Sequence, residues 1–599
     1  MNRDWKTIPE MVFAQGKAHP HRCVMKAKKG GMYQEITWGT LLTQVEETAL
    51  GLLDLGVQPG DRVAILSESR PEWAITDLSI LSVGGATVPI YTTLSSPEIE
   101  YILRDSQVQL LFLSSPEAMA KILPFQRELD IKMVLFDAPY RVSGPRIWWL
   151  GELMGLGRTA APQTKKALYS RIANVRQEDL ASVIYTSGTT GHPKGVMLTH
   201  KNFLSNCRAV GEVLPVTEKD ENLSFLPLSH VFERTAGYYF VLSVGGTVAY
   251  AENLEAVPSN LLEIRPTILT AVPRFYEKMR ERIQQAVREA SIVKRLIFRW
   301  AFEVGTRRIQ YLSEHQAVPW GISLQFPIAD RLVFSHLRQR LGGRIRFCVS
   351  GSAPLARDLA ELFAAAGILI LEGYGLTETS PVISVNRPDR FKLGSVGLAL
   401  PGVEVKIAED GEILTRGPHV MKGYFNKPEA TAEVLDSEGW FHTGDIGTID
   451  EQGFLFITDR KKDLIKTSGG KMVAPQNLEN ALKKEPLIED CVVIGDRRKY
   501  ITALIVPNPA GIKEFAARKH LPTEPWEALL KHPEITALVW ERVVALNKVL
   551  APFEQLKKIT LLPAPFTMAS GELTPTLKVK RKVVGERYAA QIESMYKDS

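Results

Sequence analysis

The segment Thr186-Ser187-Gly188-Thr189-Thr190-Gly191-His192-Pro193-Lys194-Gly195 gathers hydroxyls, glycines and one ammonium directly behind an apolar, strand-like run. Such a loop suits a polyphosphate. Glycine lets backbone N–H groups approach phosphate oxygens, the Ser187, Thr189 and Thr190 hydroxyls can donate further hydrogen bonds, and Lys194 offers a charge-assisted contact. It is not a Walker A loop, whose G-x-x-x-x-G-K-[ST] spacing opens directly into a helix, because Pro193 and the β-prone Val196-Met197-Leu198-Thr199 follow the glycines here. P-loop ATPase chemistry is thereby excluded. Composition alone leaves a phosphate cradle and a flexible surface loop both open.

A second set of candidates lies downstream. In Gly373-Tyr374-Gly375-Leu376-Thr377-Glu378, Tyr374 offers a flat face to a base, Thr377 a hydroxyl to phosphate and Glu378 a hard oxygen ligand to Mg²⁺. Asp445, beside Gly444, can accept two hydrogen bonds from a vicinal diol such as a ribose presents. Taken singly, the first is also an ordinary surface turn and the second an ordinary turn or N-cap aspartate. The run from Gly571 to Lys582 carries Lys578, Lys580, Arg581 and Lys582, which composition reads as a solvated basic strand.

These residues need a scaffold. Short β-branched runs at 63–66, 182–186, 345–349 and 368–371 alternate with helical stretches, which predicts parallel βαβ construction and an α/β class. Residues 345–371 read as strand, a turn at Gly351-Ser352-Ala353-Pro354, a helix over 358–366, a Gly367 cap and a second strand. In a right-handed parallel crossover both strands end on one sheet edge, so Gly351 and a loop at 373–378 are expected at one crevice, where the loop after Thr186 could join them. From about residue 401 short alternating segments with glycine turns predict antiparallel hairpins. The charged run 459–463 predicts a linker. The expected organisation is a large domain, 1–458, of doubly wound parallel-sheet subdomains plus a β-rich subdomain, then the linker 459–463 and a small α+β domain, 464–599.

A chain of 599 residues exceeds what one core organises, and 45% hydrophobic with 23% charged residues is globular. The net charge of +6 suits nucleotides, carboxylates and lipid headgroups, but no arginine-rich block or DNA-binding motif occurs, so no nucleic-acid partner is expected. Cys23, Cys207, Cys348 and Cys491 lack paired spacing, which fits a reduced, cytoplasmic protein. Residues up to 23 lack the apolar core of a signal peptide, and the best apolar run, 238–251, is short and interrupted by Gly245 and Gly246. Esterase and zinc-protease chemistry is excluded, since neither G-x-S-x-G nor H-E-x-x-H occurs, and Gly155-Leu156-Gly157 mimics a dinucleotide loop without a strand before it.

Residues 186–195 match T-S-G-T-T-G-x-P-K-G at every defined position and 374–378 match Y-G-x-T-E, so that from about residue 38 to 582 the chain resembles the adenylate-forming synthetase superfamily, which includes acyl-CoA synthetases and firefly luciferase. The resemblance implies that Thr186, Ser187, Gly188, Thr189, Thr190, Gly191 and Lys194 bind the ATP β- and γ-phosphates and that Gly351, Gly373, Tyr374, Gly375 and Thr377 line the nucleotide. It further implies that Glu378, with Thr190, ligates Mg²⁺, that Asp445 and Arg460 take the ribose hydroxyls, and that Lys462 is the hinge of a mobile small domain. Lys578 matches the adenylation lysine; Leu577 stands where the family has glycine, which leaves Lys580 as the neighbouring rival. After a domain swing, Gly469, Gly470 and Lys471 would pass the pantetheine arm of coenzyme A.

The chemistry so implied needs no general base, because a fatty acid with a pKa of about 4–5 is already an anion at neutral pH. Its carboxylate attacks the α-phosphorus while Lys578, Lys194, His230 and Mg²⁺ neutralise the charge that develops. Residues 226–233, with His230 at the carboxylate mouth, and 266–279 resemble long-chain fatty-acyl-CoA synthetases, which makes fatty acid, ATP and coenzyme A the expected partners, with acyl carrier protein the rival acceptor. The apolar run 237–246 fits an aliphatic tunnel wall as well as core packing. The basic helical stretch 276–341 looks like an insertion of long-chain members. Its Met279, Ile283, Val287 and Ala290, with Arg280, Arg282 and Arg288 alongside, read as a core-facing helix or as peripheral contact with the inner face of an anionic membrane. No feature sets an oligomeric state.

Overall fold

Along the strand Arg62–Leu66, Val63 and Ile65 enter one apolar core while Ala64 and Leu66 enter another. A strand buries every side chain in this way only when both faces of its sheet are covered, as helices cover them in α/β folds. The structure, a computed structural model, describes residues 4–137, 146–186, 193–314, 316–469, 471–567, 570–573 and 579–597. Eight strands stand in the order Gly423–Tyr424, Lys194–Thr199, Leu180–Thr186, Ala86–Ile90, Arg62–Leu66, Leu110–Leu113, Lys132–Leu135, Ile147–Trp149. From Leu180–Thr186 onward the pairs are parallel, whereas Lys194–Thr199 runs antiparallel to both its neighbours.

A nine-stranded sheet has the order Leu398–Ala399, Val382–Val385, Ile370–Gly375, Phe347–Ser350, Ile268–Ala271, Glu221–Ser224, Thr247–Tyr250, Cys23–Lys29, Met32–Thr37. Its inner pairs are parallel and its outer ones antiparallel. Ile268 and Leu269 again enter different cores. The doubly wound α/β class expected from the alternating pattern is therefore what the chain forms. Glu404–Ile407, Glu412–Arg416, Phe441–Ile449 and Leu455–Arg460 make a four-stranded sheet in the hairpin-rich region.

The chain divides into two compact units, one of Met1–Lys406, Leu414–His442 and Ile449–Phe456, the other of Ile407–Ile413, Thr443–Thr448 and Ile457–Ser599. In the second, Ile488–Ile494 pairs antiparallel with Ile501–Pro507, which pairs parallel with Leu556–Leu561. Leu478 and Leu482 of the helix Pro475–Leu482, and Ile535, Val539 and Val543 of Pro533–Asn547, share a core with these strands, an α+β arrangement.

Several local expectations change. Gly373, Tyr374 and Gly375 do not start a loop; they continue the strand Ile370–Gly375, because Val382–Val385 returns antiparallel and pairs with them. Asp445 lies within the strand Phe441–Ile449 rather than in a turn or at a helix N-cap. Residues 237–246 are core packing: Tyr238 meets Trp73 edge-on at 6.3 Å and Tyr239 meets Phe203 at 5.1 Å between ring centroids. The dinucleotide-like glycines sit in the helix Leu150–Arg158, where a Cβ on Gly157 would lie 1.9 Å from the Glu47 carbonyl oxygen; glycine there permits close helix contact.

The insertion is helical, with Pro273–Glu289, Ile292–Ser313 and Trp320–Ala329, the last continuing through a wider turn at Asp330–Phe334 into Ser335–Gln339. Met279 and Ile283 pack against the core that holds Tyr276 and Phe363, and Arg280 pairs with Asp358 at 3.2 Å, so this face of the first helix belongs to the core. Among the described residues no helix is long and apolar enough to cross a membrane. All four cysteines are free thiols.

Candidate functional site

Thr186 and Lys194 face each other as the last register pair of the hairpin formed by Leu180–Thr186 and Lys194–Thr199. Ser187, Gly188, Thr189, Thr190 and Gly191, expected at the phosphates, lie outside the described residues. The far end of the second strand is fixed where the Thr199 hydroxyl caps the helix His200–Val213 by accepting from the Asn202 N–H at 3.2 Å. Val196 pairs with Ile184 on one side and Tyr424 on the other, so the backbone that carries Lys194 is held from both sides.

Lys194 Nζ lies 4.9 Å from the centroid of the Tyr424 ring, and the Tyr424 hydroxyl donates to Glu378 Oε1 at 2.9 Å. Burial first, and the Glu378 charge second, push this phenol far above its ordinary pKa, so it remains a protonated donor. Its backbone is pinned as well: the Tyr424 N–H donates to Thr431 Oγ1 at 2.9 Å and the Phe425 N–H to the Gly195 carbonyl at 2.7 Å. One side chain therefore joins the cation beside the phosphate-type loop to the carboxylate expected to hold metal. Sequence reasoning missed Tyr424. The available signal was Gly423-Tyr424-Phe425 in a strand-forming stretch, where an aromatic reads first as core.

Glu378 projects from the short turn Thr377–Thr379, which the Met421 N–H anchors by donating to the Glu378 carbonyl at 2.8 Å. Ser350 pairs with Glu372, so Gly351, just past the end of its strand, stands level with Gly373, which is still within Ile370–Gly375, on the edge the parallel crossover requires. Tyr374 is buried and opposite Ser384. A Cβ on Gly351 would stand 3.1 Å from the Phe232 ring, which brings the His230 segment to the same edge. His230 Nδ1 accepts the Phe232 N–H at 3.2 Å, which leaves the proton of the neutral ring on Nε2, its donor atom.

Behind this edge, Glu233–Tyr239 forms a π-helical turn, a form often found at functional positions. Arg234 is fully buried, paired with Asp77, and donates to Ser182 Oγ at 2.7 Å on the strand that ends at Thr186. Asp77 also accepts from the Tyr239 and Thr87 hydroxyls, each at 2.7 Å. The network ties the His230 segment to the strand that leads into the loop. Burial pushes the neighbouring Glu233 carboxyl up to about 7, and it accepts from Thr270 Oγ1 at 3.0 Å.

The second unit holds the remaining candidates. Asp445 is buried, and Arg460 Nε lies 3.2 Å from its Oδ1, so the two residues expected at a ribose are partners of each other. Gly444, at φ +70°, aims its N–H at Glu412 Oε1 at 2.8 Å, and Lys461 pairs with Asp410 at 2.6 Å and Glu412 at 2.8 Å. Lys462 is exposed. Thr467 donates its N–H to the Lys471 carbonyl at 2.9 Å, closing the turn between Ile465–Lys466 and Met472–Val473 that contains Gly469; Gly470 lies outside the described residues. Leu573 and Val579 form an antiparallel bridge, while Lys578 also lies outside the described residues. Arg581, close in sequence, pairs with Glu479 at 2.6 Å.

A family model described as AMP-binding enzyme matches residues 12–425, and one described as AMP-binding enzyme C-terminal domain matches residues 462–599. Long-chain-fatty-acid–CoA ligase FadD15 of Mycobacterium bovis is 36% identical over 98% of this chain and 97% of its own. Long chain acyl-CoA synthetase 7, peroxisomal, of Arabidopsis thaliana is 32% identical over 94% of this chain and 82% of its own. The crystal structure of the anthranilate CoA ligase AuaEII in complex with anthranoyl-AMP aligns with a TM-score of 0.72 over 98% of each chain at 22% identity, a likeness of fold.

Proposed function

The chain belongs to the AMP-binding enzyme family, and we propose that it is an acid–thiol ligase that joins a long-chain fatty acid to coenzyme A, driven by MgATP, through an acyl-adenylate. The observation that carries the nucleotide half is the Lys194–Tyr424–Glu378 connection, which sets a cation and a carboxylate beside the phosphate-type loop. The acyl and thiol halves are supported by full-length likeness to relatives named as long-chain fatty acid ligases.

Among the described residues no three His, Cys, Asp or Glu side chains gather as a metal cage. A single carboxylate beside a phosphate loop fits Mg²⁺, which takes most of its ligands from substrate phosphates and water. Glu378 and Thr190 would hold the ion, which when bound spreads the phosphate charge. The protein's own contribution to the first step is alignment and charge neutralisation. A fatty carboxylate oxygen bonds to the α-phosphorus as the bond to the departing pyrophosphate breaks, with Lys194 on the phosphates, His230 Nε2–H at the carboxylate and Lys578 on the bridging oxygen. In the second step the thiol sulfur bonds to the acyl carbon, the bond to AMP breaks and the thiol proton is released. Rotation at Lys462 would exchange Lys578 for the turn at Gly469, Gly470 and Lys471, and Asp445 with Arg460 would open their pairing toward the ribose. Peripheral contact with the inner face of a membrane, where fatty acid partitions, belongs to the same reading.

Purified protein given MgATP and palmitate should release pyrophosphate, and AMP once coenzyme A is added; neither product, beside an active control ligase, overturns the reading. Acids of graded length offered with coenzyme A or acyl carrier protein assign the chain length and the acceptor. Lys578→Ala should abolish acyl-AMP formation yet leave thioesterification of supplied acyl-AMP, and equal loss of both steps removes Lys578 from its role.

A further inference from the structure

The helix Trp320–Ala329 is apolar on two sides. Phe326, Ala329 and, just beyond, Phe334 fill its inward face against Phe302 and the second core. Trp320, Leu324, Ile328 and Leu332 nevertheless recur every four residues on the other side, and each is between 52% and 81% exposed. Core packing does not account for them. The preceding helix adds Ile292 at 68% and Leu296 at 58% exposure. No Asp, Glu, Lys or Arg occurs from 316 to 329.

The segment that carries this apolar stripe is strongly basic. Residues 273–341 contain thirteen Lys and Arg against six Asp and Glu, a net +7, whereas the whole chain carries +6, so the rest of the molecule is near neutral at −1. Lys294, Arg295, Arg299 and Arg331 are exposed, and among the described residues no carboxylate pairs with them. Apolar side chains led by a tryptophan and flanked by unpaired cations are the composition that seats a helix in the headgroup layer of an anionic bilayer. A second copy of the chain fits poorly, because face-to-face contact would oppose two segments of net +7.

We infer that the helical pair Ile292–Ser313 and Trp320–Ala329 is a docking surface for anionic membrane, with Trp320, Leu324, Ile328 and Leu332 entering the headgroup–acyl boundary and the cations pairing with lipid phosphates. This deepens the peripheral contact in the functional reading by assigning it a surface. Its test needs no substrate, so it fails or succeeds apart from the ligase chemistry.

The full-length protein is mixed with vesicles of phosphatidylcholine, alone or with phosphatidylglycerol, and the bound fraction measured by flotation. Wild type should bind the mixed vesicles, more weakly as salt rises, and Leu324→Glu with Ile328→Glu should lower partition at least about tenfold at unchanged Tm and adenylate formation. Brominated lipid should quench a tryptophan component that Trp320→Phe removes, a readout independent of whether the double variant folds. Wild type that ignores anionic vesicles overturns the membrane contact itself. Binding unaltered by the double variant, or quenching unaltered by Trp320→Phe, overturns this surface. A dimer that the double variant converts to monomer, without vesicle binding by wild type, replaces the lipid with a second copy.

Discussion

Tyr424→Phe removes one atom and separates two functions. The hydroxyl that donates to Glu378 Oε1 at 2.9 Å is lost, while the ring 4.9 Å from Lys194 stays. A hydrogen bond to a charged group is worth about 1.5–3 kcal/mol, which corresponds to roughly 10- to 150-fold in an equilibrium constant. Loss of the partner that orients a metal-binding ligand typically weakens metal affinity by about 10- to 100-fold. Both routes agree on the expectation that the Mg²⁺ concentration giving half-maximal pyrophosphate release rises by about 10- to 100-fold, with the ATP requirement at saturating Mg²⁺ little changed. Tyr424→Leu also deletes the ring, a cation–π contact worth roughly 0.5–2 kcal/mol, and should add a several-fold rise in KM for ATP. The assay is palmitate-dependent pyrophosphate release without coenzyme A, titrated in Mg²⁺, with thermal unfolding followed in parallel. A Phe variant whose rate falls at every Mg²⁺ concentration with an unshifted midpoint would refute the reasoning, because the hydroxyl would then serve only the fold.

Other consequences can be measured separately. Arg234→Met leaves the Asp77 carboxylate buried without its cation and should cost about 3–5 kcal/mol in urea unfolding, whereas Asp77→Leu combined with Arg234→Met should cost less than either change alone. Glu233 keeps its proton in the native state up to about 7, against 4.5 for an unperturbed group, so it is protonated folded and ionised unfolded between those values. Its contribution is therefore complete below pH 4.5 and fades as pH rises through about 7, a change of roughly 3 kcal/mol. The difference in Tm between wild type and Glu233→Gln should accordingly move between pH 5 and pH 8, and a constant difference would contradict the burial argument. Gly375→Ala places a Cβ 1.7 Å from the Pro381 carbonyl oxygen, and the backbone shift it forces should destabilise by about 3 kcal/mol or more and displace Glu378; unaltered stability and pyrophosphate release would show that the strand yields without consequence.

The parts of the fold legible in the sequence are those set by local backbone. The β-prone segments on either side of the hydroxyl- and glycine-rich run are strands, and the pattern at 345–371 gives a parallel crossover with Gly351 and Gly373 level, because hydrophobic period and glycine placement are local signals; that the two segments pair antiparallel is a tertiary fact. The strand through Gly373–Gly375 was not legible, since its hydrogen bonds come from Val382–Val385, which returns beside it. Arg234 and Asp77 stand 157 positions apart, and Tyr424 stands 46 from Glu378; no spacing rule connects them, so each reads as an ordinary charge or aromatic until the sheets bring them together. The same reasoning explains the helix at Trp320–Ala329. An apolar pattern on all sides predicts burial, and only the packing reveals which side the protein covers and which it leaves outward. Side chains whose role arises from tertiary adjacency are thus where sequence reasoning falls short, and in this molecule they fall into two groups: the connections that link Lys194, Glu378 and the His230 segment to the strands beside them, and the outward apolar stripe that has no partner among the described residues.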